Sequence, residues 1–574
     1  MKYRWTLAPP QPLLAGQLAS GLKVSPLLAQ CLINRGFSEP AAISAFLQPR
    51  LKQLADPFTL PGMGTAVERL FRAREAKEPL VIFGDYDVDG VTSTALLTET
   101  LRALGWTVNY YLPHRMEEGY GLSREGVENC LRKHPVTLLL AVDCGSTAVE
   151  AVDWLRSKGV DVLVLDHHQI SSPAPAAIAL VNPQVESARD DAHGFRGLCS
   201  AGLAFKLAHA LVKRGRELGV VEAQNFDVRP LLDLVALGTI ADLVPLTGEN
   251  RILVTMGLER LHVTPRPGLV ALKKVAQVSG PVGVHETGFQ LAPRLNAAGR
   301  LEDAEEALRL LMASDMATAE PMARSLDQRN RERQKIERGI AEEVIGAVRA
   351  RFNPQTDFVI VEGQLLWHIG VVGIVASRVL QQFYRPTIIV GGDGGEWRGS
   401  GRSIEGFDLA AALRECHDLL VRHGGHAMAA GLTVQVENLE ALRTRLNELA
   451  RRALKPEQLQ PALRLDAELG LREITLECLE ELDQLKPMGQ GNPPVHFVTR
   501  NVTQSRPLQR MGAEKQHVKL WITDGHATHE AVWWGAGKEA SLPVGRFDVA
   551  FVPQVDEFNG RRAVQLKILD WRAV

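Results

Sequence analysis

Between residues 79 and 170, short apolar runs alternate with longer amphipathic stretches. PLVIF leads into GDYDVDG and then into the helical pattern VTSTALLTETLRALG. TVNYYLP predicts a strand and SREGVENCLRKH a helix. TLLLAVDCGS, STAVEAVDWLRSKG and DVLVLDHHQ repeat strand, helix and strand. Such alternation predicts a parallel α/β sheet. The polar residues fall just past the strands' C-terminal ends, where open α/β sheets bind their ligands. Residues 225–245 add a further core segment, RPLLDLVALGTIADLVPL.

The pattern divides the chain into five parts. Residues 1–75 read as an N-terminal helical region and 76–318 as the α/β domain with the acidic loops. Residues 319–352 form one long polar helix, 353–452 a second α/β domain, and 453–574 a small β-barrel. The long helix contains Arg324, Arg329, Arg331, Arg333, Lys335 and Arg338. Its basic face is either a solvated surface laced with Arg–Glu pairs or a face turned to a polyanion. In the last part, VHFVTRNV, HVKLWITD, HEAVWWG, RFDVAFVPQVD and AVQLKILDW are strand candidates between Gly, Pro and Asp. An oligonucleotide-binding (OB-like) barrel fits that size.

Composition narrows the function classes. The chain has 574 residues, 45% hydrophobic and 23% charged, as in a soluble globular protein of several domains. A formal net charge of -2 excludes a uniformly basic nucleic-acid binder and leaves room for a local basic stripe. The six cysteines form no CxxC pair, which argues against a zinc ribbon and a disulfide scaffold. The first residues show no signal-peptide core, and runs such as VTLLLAVD are too short to span a bilayer. The expected location is the cytoplasm.

The chemistry concentrates in one series: Asp85, Asp87 and Asp89, then Asp143, then Asp166, His167 and His168, then Asp242. Each follows an apolar strand or core segment. Three carboxylates within five residues are costly on a buried turn unless cations neutralise them. Carboxylates with one or two imidazoles suit Mn²⁺ or Mg²⁺, with Mn²⁺ favoured by the histidine. Two ions about 3.5–4 Å apart can share a carboxylate, bind phosphate oxygens and activate water. No serine or cysteine nucleophile is then needed. Cys144 reads as core rather than ligand.

GDYDVDG, VDCG, LDHHQ and ALGTIADLVPL resemble the four signatures of the DHH phosphoesterase superfamily. GSGRSIEGFDL and GGHAMAAG resemble its associated second domain. Nearly the whole chain, barrel included, is similar to bacterial single-strand-specific 5′-to-3′ DNA exonucleases of that superfamily. The resemblance implies two lobes around a cleft, with metals in the first and DNA held by the second. It implies Asp87, Asp89, Asp143, His167 and Asp242 as direct ligands; Asp233, nine residues before Asp242, competes for the fourth-signature position, and Asp242 is preferred. Asp85 and His168 are adjacent to them, as ligands or in proton handling, and Asp166 supports the histidines.

The same resemblance assigns Ser400 and Arg402, read as a glycine-rich turn, to a terminal 5′ phosphate. Gly401 would admit the anion and Arg402 would bind it in bidentate fashion. Arg115 is their partner from the first lobe, or a loop brace. His426, with His423 beside it, is assigned to the scissile phosphate or is a packed, hydrogen-bonded histidine. Arg294, Asn296, Arg300 and His368 either follow the DNA backbone or pack the domains. Phe497, Trp521, Trp533 and Trp534 divide between barrel core and base-stacking surface. Implied with the fold are single-stranded DNA as substrate, release of 5′ mononucleotides, and roles in repair and recombination. A single-strand-binding protein and a helicase are the expected partners of a monomer. Two rivals stand beside this reading. One is a phosphoesterase for pyrophosphate, short RNA or cyclic dinucleotides. The other is a catalytically silent DNA-binding scaffold.

Overall fold

Leu80–Phe83 and Leu138–Val142 are apolar at every position because both faces of their sheet are covered. Leu80 and Ile82 join one buried cluster, while Val81 and Phe83 join another on the opposite face. The computed structural model describes residues 3–115, 117–119, 121–185, 194–392, 394–537, 545–558 and 560–574. Five parallel strands form the first sheet, in the order Val108–Tyr111, Leu80–Phe83, Leu138–Val142, Asp161–Leu165, Ala179–Val181. The helix Val88–Ala103 lies almost wholly buried beside it. The core segment of residues 225–245 is a helix, Leu232–Ala241, buried from Leu232 to Ile240. Burial all round erases its amphipathic period, so its apolar run alone does not separate helix from strand.

By compactness the chain forms two units, which cut across the five segments drawn from the pattern. One comprises Gln48–Gln334 with Pro487–Pro493; it contains the parallel sheet. The other comprises Met1–Leu47, Lys335–Lys486 and Pro494–Val574. The polar helix runs from Met316 to Arg351. In its first half the arginines are ion-paired: Arg324 with Glu320, Arg331 with Asp327, and Arg329 with Glu302 and Glu306.

The second unit holds a mixed sheet and a barrel. The sheet order is Leu420–His426, Ala429–Gln435, Glu396–Arg402, Thr387–Gly392, Ile360–Leu365, antiparallel except for the last pair. All five strand candidates of the C-terminal part are strands. The ladder between Phe497–Met511 and Phe547–Phe558 closes them into a barrel. Phe497 and Phe551 are opposite each other at that closure, fully buried, with ring centroids 6.4 Å apart. Phe497 is therefore core. Trp521 and Trp533 are half-buried, and Trp534 is exposed. Arg4–Leu7 pairs in parallel with Ala462–Leu465, and Trp5 Nε1 donates to Asp570 Oδ2 at 2.9 Å.

Phe551→Ala should destabilise this unit by about 3–5 kcal/mol, read as a lower urea midpoint. Trp534→Ala should change it by less than about 0.5 kcal/mol.

Candidate metal centre

Three acidic loops leave the parallel sheet at its C-terminal edge. The turn after Leu80–Phe83 carries Asp85, which is buried, and Asp87, which caps the next helix by accepting from Gly90 N–H at 3.1 Å. Asp89, in the first turn of that helix, is also buried. Asp143 follows Leu138–Val142 with φ of 63°, a left-handed conformation unusual for a residue with a side chain. Its N–H still bonds Leu165 O at 3.0 Å, so the strand ladder holds the strained residue in place. Asp166, His167 and His168 follow Asp161–Leu165. Asp242 reaches the same place from the C-cap of helix Leu232–Ala241.

These side chains converge. His167 Nε2 lies 3.5 Å from Asp143 Oδ1, 3.6 Å from Asp242 Oδ2 and 3.9 Å from Asp89 Oδ2. Three overlapping groups each bring ligand atoms within 4.8 Å of one another: Asp85, Asp87, Asp143; Asp89, His167, Asp242; and Asp143, His167, His168. Asp233 is not among them. It sits two and a half turns away on the helix, about 13 Å on at 1.5 Å per residue. There it accepts from Thr264 Oγ1 at 2.7 Å and pairs with Arg266 at 3.3 Å. Cys144 packs in the core with its Sγ 3.8 Å from Phe83 O.

Burial first, and neighbouring carboxylates second, push these acids up. Asp85 rises to about 8, Asp89 to about 6 and Asp242 to about 9, and Asp143 moves well above the usual range. Asp166 goes the other way. Against the effect of burial, its hydrogen bond to His168 Nδ1 at 2.7 Å holds it below the ordinary carboxylate range. The same bond raises His168 to about 9, against the opposing effect of burial. Asp166 also accepts from Ser146 N–H and His167 N–H, so it fixes both histidines.

The residues fit divalent cations. Asp85 Oδ1 is buried with no hydrogen-bond partner among the described residues, and the donors are oxygens with imidazole. One contributor escaped the sequence reading. At the start of helix Ser200–Glu217, Ser200 N–H and Ala201 N–H donate to Asp89 at 2.7 and 2.8 Å, and Ser200 Oγ donates to Asp143 at 2.7 Å. A helix N-terminus aimed at a carboxylate stabilises its charged form. The serine ahead of the apolar run LAFKLAHAL signals a helix start, but not which carboxylate that start meets.

The other assigned residues fall in three places. Arg115 stacks 5.0 Å over the Tyr86 ring, beside the acidic turn. Arg294 is held by Asp327 at 2.9 Å, in line with its packing alternative, and Asn296 and Arg300 share its helix, Ala292–Leu301. In the second unit, Ser400 and Arg402 lie on the strand Glu396–Arg402, not in a turn. Their glycines serve packing: a Cβ at Gly399 or Gly401 would lie 2.3 Å from Val390 or 2.5 Å from Leu409. Arg402 donates to Ser400 Oγ at 2.8 Å. Both side chains meet Gly373 in the first turn of helix Val372–Phe383, where a Cβ would lie 3.0 Å from Ser400 Oγ and 3.2 Å from Arg402 Nη2. His368 occupies the turn before that helix and accepts from Gly370 N–H at 3.1 Å. His423 and His426 are exposed on Leu420–His426, one strand of a hairpin.

A parallel sheet with this acidic edge and an associated mixed α/β lobe define a DHH-type, metal-dependent phosphoesterase. The family models agree: "DHH family, N-terminal domain" matches residues 79–239, "DHHA1 domain" 356–452 and "RecJ OB domain" 465–570. The chain belongs to the RecJ family. It is 38% identical to the single-stranded-DNA-specific exonuclease RecJ of Bacillus subtilis, covering 99% of this chain and 71% of that one. It is 37% identical to the Haemophilus influenzae RecJ, covering 91% and 92%. The crystal structure of Thermus thermophilus RecJ in complex with Mn²⁺ matches with a TM-score of 0.84 at 30% identity, covering 100% of this chain and 80% of that one.

Because Asp85, Asp89, Asp143 and Asp242 retain protons that unfolded carboxylates lose near pH 4, metal-free stability should fall as pH rises from about 4 to 9. Mn²⁺ should reverse that fall and release protons, measurable by calorimetry in buffers of different ionisation enthalpy. Asp143→Asn should raise the metal-free melting temperature at about pH 8 while weakening Mn²⁺ binding. Gly238→Ala should lower both stability and metal affinity. Its Cβ would meet Thr92 Oγ1 at 2.4 Å, Ala201 Cβ at 2.7 Å and Asp89 Oδ1 at 3.0 Å.

Proposed function

We propose that this chain is a divalent-metal-dependent exonuclease for single-stranded DNA, acting in repair and recombination. It degrades from the 5′ end and releases 5′ mononucleotides. The observation that carries the reading is the convergence of Asp85, Asp87, Asp89, Asp143, His167, His168 and Asp242 at one sheet edge. Mn²⁺ or Mg²⁺, as a pair of ions, is the cofactor this donor set suits. When bound, such ions polarise a phosphodiester and lower the pKa of water.

The protein's own groups then have separable tasks. Asp87, Asp89, Asp143, His167 and Asp242 hold the ions. Ser200 and the N-terminus of its helix fix the orientation of Asp89 and Asp143. Asp166 fixes the His168 ring, so that its charge stays beside the reacting phosphate. Ser400 and Arg402 receive the terminal 5′ phosphate with the first turn of helix Val372–Phe383, whose amide N–H groups favour an anion. Arg115 is assigned to a DNA phosphate, and His426 to the scissile phosphate. His423 and His368 follow the strand's backbone.

Among the described residues no helix is long and apolar enough to cross a membrane. The six cysteines are free. The proposed setting is the cytoplasm, with the chain working as a monomer on strands supplied by a helicase or coated by a single-strand-binding protein.

An end-labelled single strand with Mn²⁺ should be shortened from its 5′ end, with a blunt duplex left intact. Asp143→Ala should abolish cleavage while retaining strand binding. Preference for cyclic dinucleotides or pyrophosphate would defeat the substrate assignment, and binding without cleavage would favour the silent scaffold. Arg402→Ala should lower kcat/KM on 5′-phosphorylated strands by about 10- to 100-fold, the worth of a charge-assisted contact, and less on 5′-hydroxyl strands.

A further inference from the structure

We propose that Leu243 and Phe289 form an apolar platform for an unstacked nucleobase beside the metal centre, positioning a single strand for cleavage. The proposal rests on the phosphodiesterase reading above and names how that site would engage its substrate.

Helix Leu232–Ala241 ends at Asp242, and the next residue, Leu243, is left-handed with φ of 59°. Helices usually place glycine at such a position, because a side chain there collides with the neighbouring carbonyl. Here a leucine occupies it and is 74% exposed. Leucine gains nothing from that backbone conformation, and an exposed leucine forfeits its burial energy. Neither feature serves the stability of the protein alone.

Phe289 shows the same mismatch. It lies in Glu286–Leu291, a turn wound more widely than an α-helix that runs directly into the helix containing Pro293. Proline lacks an N–H, and a π-type turn accommodates the missing bond. Phe289 is 74% exposed, yet its ring is steadied by His285 at 5.2 Å with 28° between the planes.

The two side chains line one cavity of about 230 Å³, together with Ile240, Val244, Val284 and Asn296. Gly288 adds no side chain to the lining, and a Cβ there would be in ordinary contact with Ile240 Cγ2 at 3.4 Å. The lining carries no ionised side chain, so it suits a flat base rather than a phosphate. The cavity and the centre are linked through the chain. Leu243 adjoins Asp242, whose Oδ2 is 3.6 Å from His167 Nε2. Bases in a duplex are stacked and paired, so only a single strand can offer one to such a platform. Stacking of this kind tolerates every base.

The test pairs Phe289→Ala with a 5′-phosphorylated oligonucleotide and its analogue bearing abasic sites at the 5′ end, both with Mn²⁺. On the normal strand, Phe289→Ala should raise KM by about 5- to 100-fold, the range of one base–aromatic contact, and Phe289→Trp should restore it. On the abasic strand, wild type and Phe289→Ala should have the same KM. Leu243→Gly should raise the melting temperature while raising KM on the normal strand, a combination that a purely structural role for Leu243 does not produce. Equal KM values for wild type and Phe289→Ala on the normal strand, or an equal loss on both strands, would overturn the platform. Absence of any cleavage of the normal strand by wild type would overturn the phosphodiesterase reading instead.

Discussion

Buried carboxylates that face one another must take up either protons or cations. In this protein the choice governs the whole parallel-sheet unit. Asp85, Asp89 and Asp143 are almost completely removed from solvent, and Asp242 and His167 close the group. The surrounding structure is arranged to tolerate that concentration of charge. A helix N-terminus donates to Asp89, a serine hydroxyl donates to Asp143, and a strained backbone at Asp143 is clamped by the adjoining strand. Gly238 lets helix Leu232–Ala241 approach closely enough to deliver Asp242. Stability sacrificed at the sheet edge is what a divalent ion would recover on binding.

Much of this unit was legible before any coordinates. The parallel strands were readable because each is a short apolar run ending in a polar loop, and the ligands sit in those loops. Asp242 reaches the other acids and Asp233 does not, although one short helix separates them. Only Asp242 stands at the end that meets the sheet edge; Asp233 is taken by Thr264 and Arg266. Ser200 was not legible as a participant. Its role depends on which helix start lands beside Asp89, a long-range packing outcome that no local pattern encodes.

The second unit was less transparent. The glycines of GSGR suggest a turn, because glycine is the usual turn residue. They lie in a strand, where Val390 and Leu409 occupy the space a Cβ would fill. A glycine required for close packing and one required for a positive φ look alike in a sequence. The five barrel strands were readable from alternation, but Phe497 could not be separated from the tryptophans as core until its pairing with Phe551 was seen. Arg294 likewise looks like a backbone-tracking cation and is engaged by Asp327.

The pairing of Arg4–Leu7 with Ala462–Leu465 has a consequence for biosynthesis. The ribosome releases the amino-terminal strand long before its neighbour exists. The unit of Gln48–Gln334 is almost contiguous and can begin folding while translation continues. The opening segment must wait for more than four hundred residues of synthesis before its ladder can form. Until then Trp5 lacks Asp570, and the nascent chain presents an unpaired edge that a chaperone would have to shield.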